Sequence, residues 1–431
     1  MAQINRFIVA YKDALITNGL PAAGGAPSKI VLRRFLKLFR NIDDSRLNGM
    51  INYPLEEIIL ITFLAILGNA STWVEIATFG EKKKRWLKQF MKLNNGIPSH
   101  DTFRRVFSLI DTDQLQEATI AFLLENLAAI KKTLNIKNEG LRQICVDGKE
   151  QKGTGRKYNY DEKIRNLQTL HVYDASNEIC LYSKAINEKT NEIPVAQEIL
   201  KSMNLKNCIV TFDALHTQKK TINTIVQQKG DYVGGLKGNQ GILQQEAQQT
   251  FTTERLASIH NTDAYYTTSE KAHSKLEVRR YYLAKANHCS NGVVEWQNLR
   301  NFICYEKYTC DVIDGSESTE TRYYMTSLKD VEASAQAIRG HWGIENNLHW
   351  HLDYSFMEDM NTTIDKKAFN NLSLINKMVL SLCKLAQPIM GNKSIRLIRK
   401  EFAWEYEDTL AEMLSHFDNE SIFKALEKKK K

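Results

Sequence analysis

The sequence predicts a mixed α/β fold: an all-helical region first, then a mixed sheet with helices packed on it, and a strand-rich insertion before a last helical segment. Three observations predict it. Between residues 30 and 135 the apolar side chains recur with helical spacing. From about Leu141 the pattern changes to short apolar runs in the order β-β-β-α-β-α-β, in which antiparallel pairing comes first and βα units follow. A further strand-rich stretch, roughly residues 276–308, precedes "IRGHWGIENNLHWHLDYSF", where the spacing is helical again.

In chain order, "PAAGGAPS" (residues 21–28) is the clearest linker. The apolar run "IILITFLAIL" is too short to span a bilayer and reads as a buried helix. In "SHDTFRRVFSLID", Ser99 and Asp101 are capping residues, and Phe103, Val106, Phe107 and Ile110 share one apolar face. Arg104 and Arg105 lie off that face, which suits a DNA-reading helix as well as a packed helix with solvated arginines. "RQICVDGK", "LQTLHVYDA" and "ICLYSKAI" read as strands, the last two joined by the turn-like "DASN". "IPVAQEILKSMN" is a helix, "NCIVTFDA" a strand, "LHTQKKTINTIVQQ" a helix and "DYVGGLKGN" a strand. "LEVRRYYLA" and "NLRNFICYEKY" are strands, "DVIDGSESTETR" an exposed loop and "YYMTSL" a last strand. The expected partition is a terminal segment at 1–29, a helical domain at 30–135, and a sheet domain at 140–431 with its β-rich insertion at about 255–320.

The bulk numbers are those of a globular protein, with 43% hydrophobic and 25% charged residues among 431. A net charge of +8, from 58 Lys+Arg against 50 Asp+Glu, leans mildly toward polyanionic partners. Part of it sits in the terminal "EKKKK". No basic segment followed by an apolar block and cleavage site opens the chain, so no signal peptide is expected. Seven scattered cysteines without a C-x-x-C pair point to reduced thiols in a cytoplasmic protein, and away from a zinc ribbon or a disulfide scaffold.

The ionisable residues carry the functional reading. Ile344, Leu348 and Leu352 make an apolar helical stripe; Glu345, His349 and Asp353 fall on the adjoining face, with His341 one turn earlier. That face is a solvated one, a metal site of His341, Glu345 and His349, or one arm of an acidic site. Asp147 and Asp213 each follow an apolar strand and precede a small residue. An Asp there is common turn chemistry. Two such residues also converge if their strands are neighbours in one sheet. Were the helix of Glu345 to cross that edge, three like charges would repel, and a divalent cation would relieve them. Carboxylate oxygens suit Mg²⁺ or Mn²⁺. Two such ions activate an attacking hydroxyl and stabilise a leaving oxygen in phosphodiester displacement.

Five blocks in order, "VDGK", "DALHTQ", "GDYVGGLKGNQ", "YYMTSL" and "IRGHWGIENNLHWHLDYSFMED", resemble the catalytic blocks of bacterial insertion-sequence transposases of the ISAs1 family, which includes the H-repeat-associated proteins. The part from "YPLEEIILITFLAILGNASTW" to "NGIPSHDTFRRVF" is similar to that family's associated helical domain. The resemblance implies a DDE transposase with an RNase H-like core. Its catalytic acids and metal ligands would be Asp147, Asp213 and Glu345, with Mg²⁺ or Mn²⁺, two ions, as cofactor. Its partners would be double-stranded DNA, both the element's terminal inverted repeats and the target, met by a homodimer on DNA. Lys237 and Asn239, in "LKGNQ", fall in a block near the active-site edge. DNA contacts are expected from these two and from Arg104, Arg105, Lys149, His216, Arg339, His341, Trp342 and His349. The chain departs from the family where its first block continues as "DGKEQKGTG", where "MNTTIDKK" follows "FMED", and at His351.

Three functions compete on these grounds: a transposase that cleaves and transfers strands, a catalytically silent or domesticated DNA-binding relative, and a zinc-dependent hydrolase. The zinc reading leaves Asp147 and Asp213 without a role, and His-x-x-x-Glu-x-x-x-His is no standard zinc spacing.

Overall fold

A computed structural model describes residues 27–415, except 48, 50, 134–139, 159–161, 187–190, 273 and 288–290. Most of the expected linker, the terminal lysines and the expected boundary near residue 135 lie outside the described residues; the last two linker positions, Pro27 and Ser28, open a helix. Five helices come first: α1 (Pro27–Phe39), α2 (Leu55–Leu67), α3 (Trp73–Leu87), α4 (His100–Leu109) and α5 (Thr112–Thr133). In α2 every residue but Glu56 is buried, as the apolar run predicts. α4 begins as expected, with the Ser99 side chain accepting from the Thr102 N–H and Phe103, Val106 and Phe107 buried.

One nine-stranded sheet organises the rest. Its strands are β1 (Arg142–Gln151), β2 (Leu167–Asp174), β3 (Ile179–Ile186), β4 (Cys208–Phe212), β5 (Asp231–Leu236), β6 (Tyr265–Ala272), β7 (Lys275–Lys285), β8 (Asn301–Asp311) and β9 (Glu317–Thr326). The spatial order is β3-β2-β1-β4-β5-β9-β8-β7-β6. β1, β4 and β5 are parallel, and the other neighbours are antiparallel. The five-strand half, β3-β2-β1-β4-β5, is an RNase H-like core. The insertion is continuous with it, because β9 pairs with β5 from Tyr323↔Leu236 to Thr326↔Val233.

Two expectations are corrected. "DVIDGSESTETR" is not a loop throughout: the chain turns at Gly315, and residues from Glu317 onward form the first half of β9. β6 lies ahead of the predicted strand-rich stretch. Residues 317–321 are all exposed, so no apolar alternation marked that half of β9 as a strand.

Strand alternation sorts the core into two faces. Ile144, Val146, Val210 and Phe212 point toward α6 (Glu192–Ser202) and α7 (Lys219–Gln227), in one cluster with Ala196, Ile199, Ile222 and Ile225. Ile209 and Val233 point the other way, onto Ala335 and Ile338 of α8 (Val331–Gly343). α9 (Lys366–Ala386) is almost wholly buried and packs along α5, α4 and α2. Its Asn371 amide donates to the carbonyls of Phe107 (2.8 Å) and Ile110 (3.1 Å). Beyond it, Arg399 is buried and donates to the Ile66 carbonyl at 2.8 Å. The first helices and the last ones therefore share one core.

Candidate active site

Register brings the two aspartates together. β1 and β4 run parallel and pair up to Val146↔Phe212. Asp147 and Asp213 are the next residue on each strand, on the face that α8 covers. β1 does not stop there as the sequence suggests: it outruns β4 and pairs on with β2 to Gln151↔Leu167. The Asp213 Oδ1 accepts from the Leu215 N–H (3.0 Å) and the His216 N–H (3.2 Å), which fixes one oxygen in a turn. The Asp147 Oδ1 accepts from the Gly148 N–H at 2.9 Å. Burial and the negative charge of Asp213 push the Asp147 carboxyl up to about 7.

A cleft of about 560 Å³ opens on this pair. Its lining includes Asp147, Asp213, Glu345, Lys237, His341 and Trp342. All three carboxylates of the predicted set therefore face one space. Among the described residues, however, no three His, Cys, Asp or Glu stand close enough to hold one ion together. Asp147 and Asp213 are a pair at the ends of paired strands, and Glu345 lines the same cleft.

Glu345 sits where the helix changes form. α8 starts at an Asp330 cap and lies close to β1 because residue 340 is glycine; a Cβ there would collide with the Gln143 side chain. Gln143 holds this approach by donating to the Ala337 carbonyl at 2.7 Å. Residues Ile344–His349 then form a π turn, followed by a short helix (Trp350–Tyr354), so the segment is not the uniform α-helix that the spacing predicts. Ile344, Leu348 and Leu352 are buried as expected. The wider turn parts the polar set: Glu345 is exposed to the cleft while His349 is buried.

Beneath the pair lies a buried polar network. His171 stands directly opposite Asp147 in the β1–β2 register. His349 bridges them, with Nε2 2.9 Å from His171 Nδ1 and Nδ1 3.8 Å from Asp147 Oδ2. The His341 Nδ1 is 3.0 Å from the Thr211 hydroxyl. Burial lowers His341 to about 4 and His349 to about 3, so both are neutral at pH 7 and orient neighbours instead of attracting phosphate by charge. Behind the histidines, Glu358 and Lys377 are both buried; the Glu358 Oε1 accepts from Ser373 (2.7 Å) and Asn376 (2.9 Å).

The remaining predicted residues divide. Lys149 is buried, with its Nζ 2.5 Å from Asp353 and 3.9 Å from Asp359, so it ties β1 to the segment after Glu345 instead of facing outward. His216 is buried, 3.5 Å from the Glu192 carboxylate. Lys237 is exposed at the cleft, and the Asn239 amide holds the backbone beside Asp213 through the Ala214 carbonyl at 2.6 Å. Arg339 is 3.3 Å from Glu270. Arg104 and Arg105 are exposed on α4 and do not line the cleft.

Sequence reasoning missed Glu192, His171 and Thr211. Glu192 packs so tightly on Gly148 that a Cβ there would collide with its carboxylate, and its charge adds to the push on Asp147. Asn191 is a helix cap in the sequence, accepting from the Ile193 N–H, but a cap does not tell which strand the helix end meets.

Comparison with known proteins adds an independent line. Residues 138–382 match the family described as "Transposase DDE domain", and residues 36–123 match "DDE_Tnp_1-associated". The chain is 30% identical over 366 residues to the "Putative transposase YncI" of Escherichia coli O157:H7, covering 84% of this chain and 90% of that one. It is 29% identical over 334 residues to the "H repeat-associated putative transposase YhhI" of Escherichia coli (strain K12), covering 76% and 84%.

Proposed function

The chain belongs to the DDE transposases, and on that premise we propose that it is an insertion-sequence transposase of ISAs1 type, which binds its element's terminal inverted repeats, cleaves DNA strands there and transfers them to a target. One observation carries the reading furthest: two aspartates at adjacent register on parallel strands share a cleft with Glu345. Asp147, Asp213 and Glu345 are the proposed catalytic acids.

The donor set fits a hard divalent cation. Burial first, and the neighbouring carboxylates after it, hold the Asp147 carboxyl up to about 7, and a cation relieves both costs of its charge. Asp147, Asp213 and Glu345 would hold Mg²⁺ or Mn²⁺, two ions in our reading, with Glu345 drawn toward the pair on loading. Such ions supply charge neutralisation at the transferring phosphate and favour an ionised attacking hydroxyl near neutral pH. The chain's own groups do the positioning. Backbone N–H groups fix one oxygen of each aspartate. The neutral His349 packs behind Asp147, its Nδ1 3.8 Å from Oδ2. Lys237 provides a cation at the rim for a phosphate of the bound strand.

Residues 30–135 are proposed to contribute to end recognition, with Arg104 and Arg105 exposed for phosphate contact, and residues 140–431 to form the catalytic domain. Because two element ends must be joined, the working form is a homodimer on DNA. Among the described residues no helix is long and apolar enough to cross a membrane, which suits the cytoplasmic location that access to the bacterial chromosome requires. The test is a cleavage assay on duplexes carrying the element's own ends, with Mg²⁺ or Mn²⁺. Specific strand cutting at the ends supports the reading, and binding without cutting under all metal conditions would assign a silent relative instead.

A further inference from the structure

A second cleft, of about 480 Å³, adjoins the first and shares Glu320, Arg322, Ile338 and Trp342 with it. Its floor is one face of the insertion. Alternation puts Glu270 of β6, Lys275, Glu277 and Arg279 of β7, Lys307 of β8, and Glu320 and Arg322 of β9 on that face, and Arg339 of α8 closes it. The register sets Arg279 directly opposite Lys307, and Lys307 opposite Glu320. Two cations facing each other on the middle strands destabilise a sheet unless anions lie between them. Here carboxylates supply the anions: Glu277 pairs with Arg279 and, at 2.7 Å, with Lys307, while Glu270 lies 2.9 Å from Arg279 and 3.3 Å from Arg339. Glu320 lies 2.6 Å from Arg322, whose guanidinium stands 5.0 Å from the Trp342 ring centre. The groove is thus a row of cations held by internal carboxylates, five against three, on a sheet that continues from the catalytic edge.

We infer that this groove is a track for the phosphodiester backbone of the DNA strand that passes through the catalytic cleft, and that Glu277 and Glu320 occupy the phosphate positions until DNA displaces them. The inference rests on the transposase reading. Lys275, Lys307, Arg322 and Arg339 are the accessible cations, and the carboxylate partners of the last three compete with phosphate for the same donors. Trp342, at the junction, offers an aromatic face beside the first phosphate.

The groove makes an unusual demand on mutants: removing an acid must tighten binding. Full-length wild-type protein, Glu320→Gln, Arg322→Gln and Glu306→Gln are titrated with a fluorescein-labelled random-sequence duplex bearing a 3′ single-stranded tail, over a range of NaCl. Glu306 lies on the opposite face of β8, so Glu306→Gln makes the same charge change outside the groove. Glu320→Gln is expected to bind on the order of threefold to tenfold tighter, Arg322→Gln to bind weaker by a similar factor with a salt slope lower by about 1, and Glu306→Gln to match wild type. Equal affinities for wild type, Glu320→Gln and Arg322→Gln would overturn the track, as would an equal gain in Glu306→Gln, which would reduce the effect to net charge. Wild-type protein that binds no DNA would sink the transposase reading along with it, whereas end cleavage by wild type with unchanged groove variants would sink the track alone.

Discussion

The two clefts that meet at Trp342 treat charge in opposite ways. In the first, Asp147 and Asp213 end the paired stretch of neighbouring strands, and burial together with the charge of Asp213 drives the Asp147 carboxyl up to about 7. In the second, carboxylates are interleaved with the cations and pair with Arg279, Lys307, Arg322 and Arg339. Each arrangement of charge favours a different kind of ligand. Uncompensated like charge at a sheet edge marks a place where an ion of opposite sign belongs. A row of cations partly neutralised by its own carboxylates marks a place where a polyanion can exchange with internal acids at modest net cost.

The largest expected effects break the first cleft. Asp147→Asn and Asp213→Asn should abolish metal-dependent strand cleavage, with losses on the order of 10³-fold or more, while the proteins fold and bind DNA. Asp147→Asn should also stabilise the metal-free fold. The raised carboxyl keeps a proton that the unfolded chain releases, so the wild-type fold loses stability as pH rises from about 3.8 toward about 7, and Asn removes that loss. Thermal unfolding of both proteins across that window checks the sign. Next is the strut between the clefts and the helix end: Lys149→Met leaves Asp353 and Asp359 without their buried partner. Both acids are partly exposed, so a loss of about 2–3 kcal/mol in denaturant unfolding is expected, below that of a fully buried pair. The second cleft gives a gain instead: Glu320→Gln sharpens the contrast, because the Glu→Gln change that silences one cleft strengthens DNA binding in the other. The smallest effect lies far from both. Arg104→Ala with Arg105→Ala should weaken binding to element ends about twofold to tenfold at low salt and lower the salt slope by about 1–2, without changing cleavage of bound ends.

What the sequence discloses of this contrast follows from range. Asp147 and Asp213 were legible because period-2 alternation and two short apolar runs place them on one edge if the strands are neighbours, and the register agrees. The Ile344, Leu348 and Leu352 stripe was legible for the same local reason. The π turn was not: a helical spacing of four fits both turn types, and only the buried His171 and Lys149 decide which way His349 and Asp353 face. Lys149 read as a free cation because its partners lie more than two hundred residues away. The groove was hidden because "SESTETR" has no apolar periodicity, so its strand was read as loop. α9 carries Asn370, Asn371, Asn376 and Lys377, which look like a solvated stripe and are instead buried. The associated helices and the sheet domain thus share core contacts that spacing alone does not reveal.

The most direct measurement of the central claim is strand cleavage by Glu345→Gln on the element's own ends, in Mg²⁺ and in Mn²⁺, with DNA affinity and thermal unfolding recorded on the same preparation. The change keeps the side chain's shape and removes the negative charge that Glu345 brings to the cleft wall. The expected result is a folded protein with DNA affinity near wild type and cleavage lost in both metals, with little further loss when Asp147→Asn is added, because the acids act as one unit. A folded Glu345→Gln protein that cuts the ends at close to the wild-type rate would contradict it.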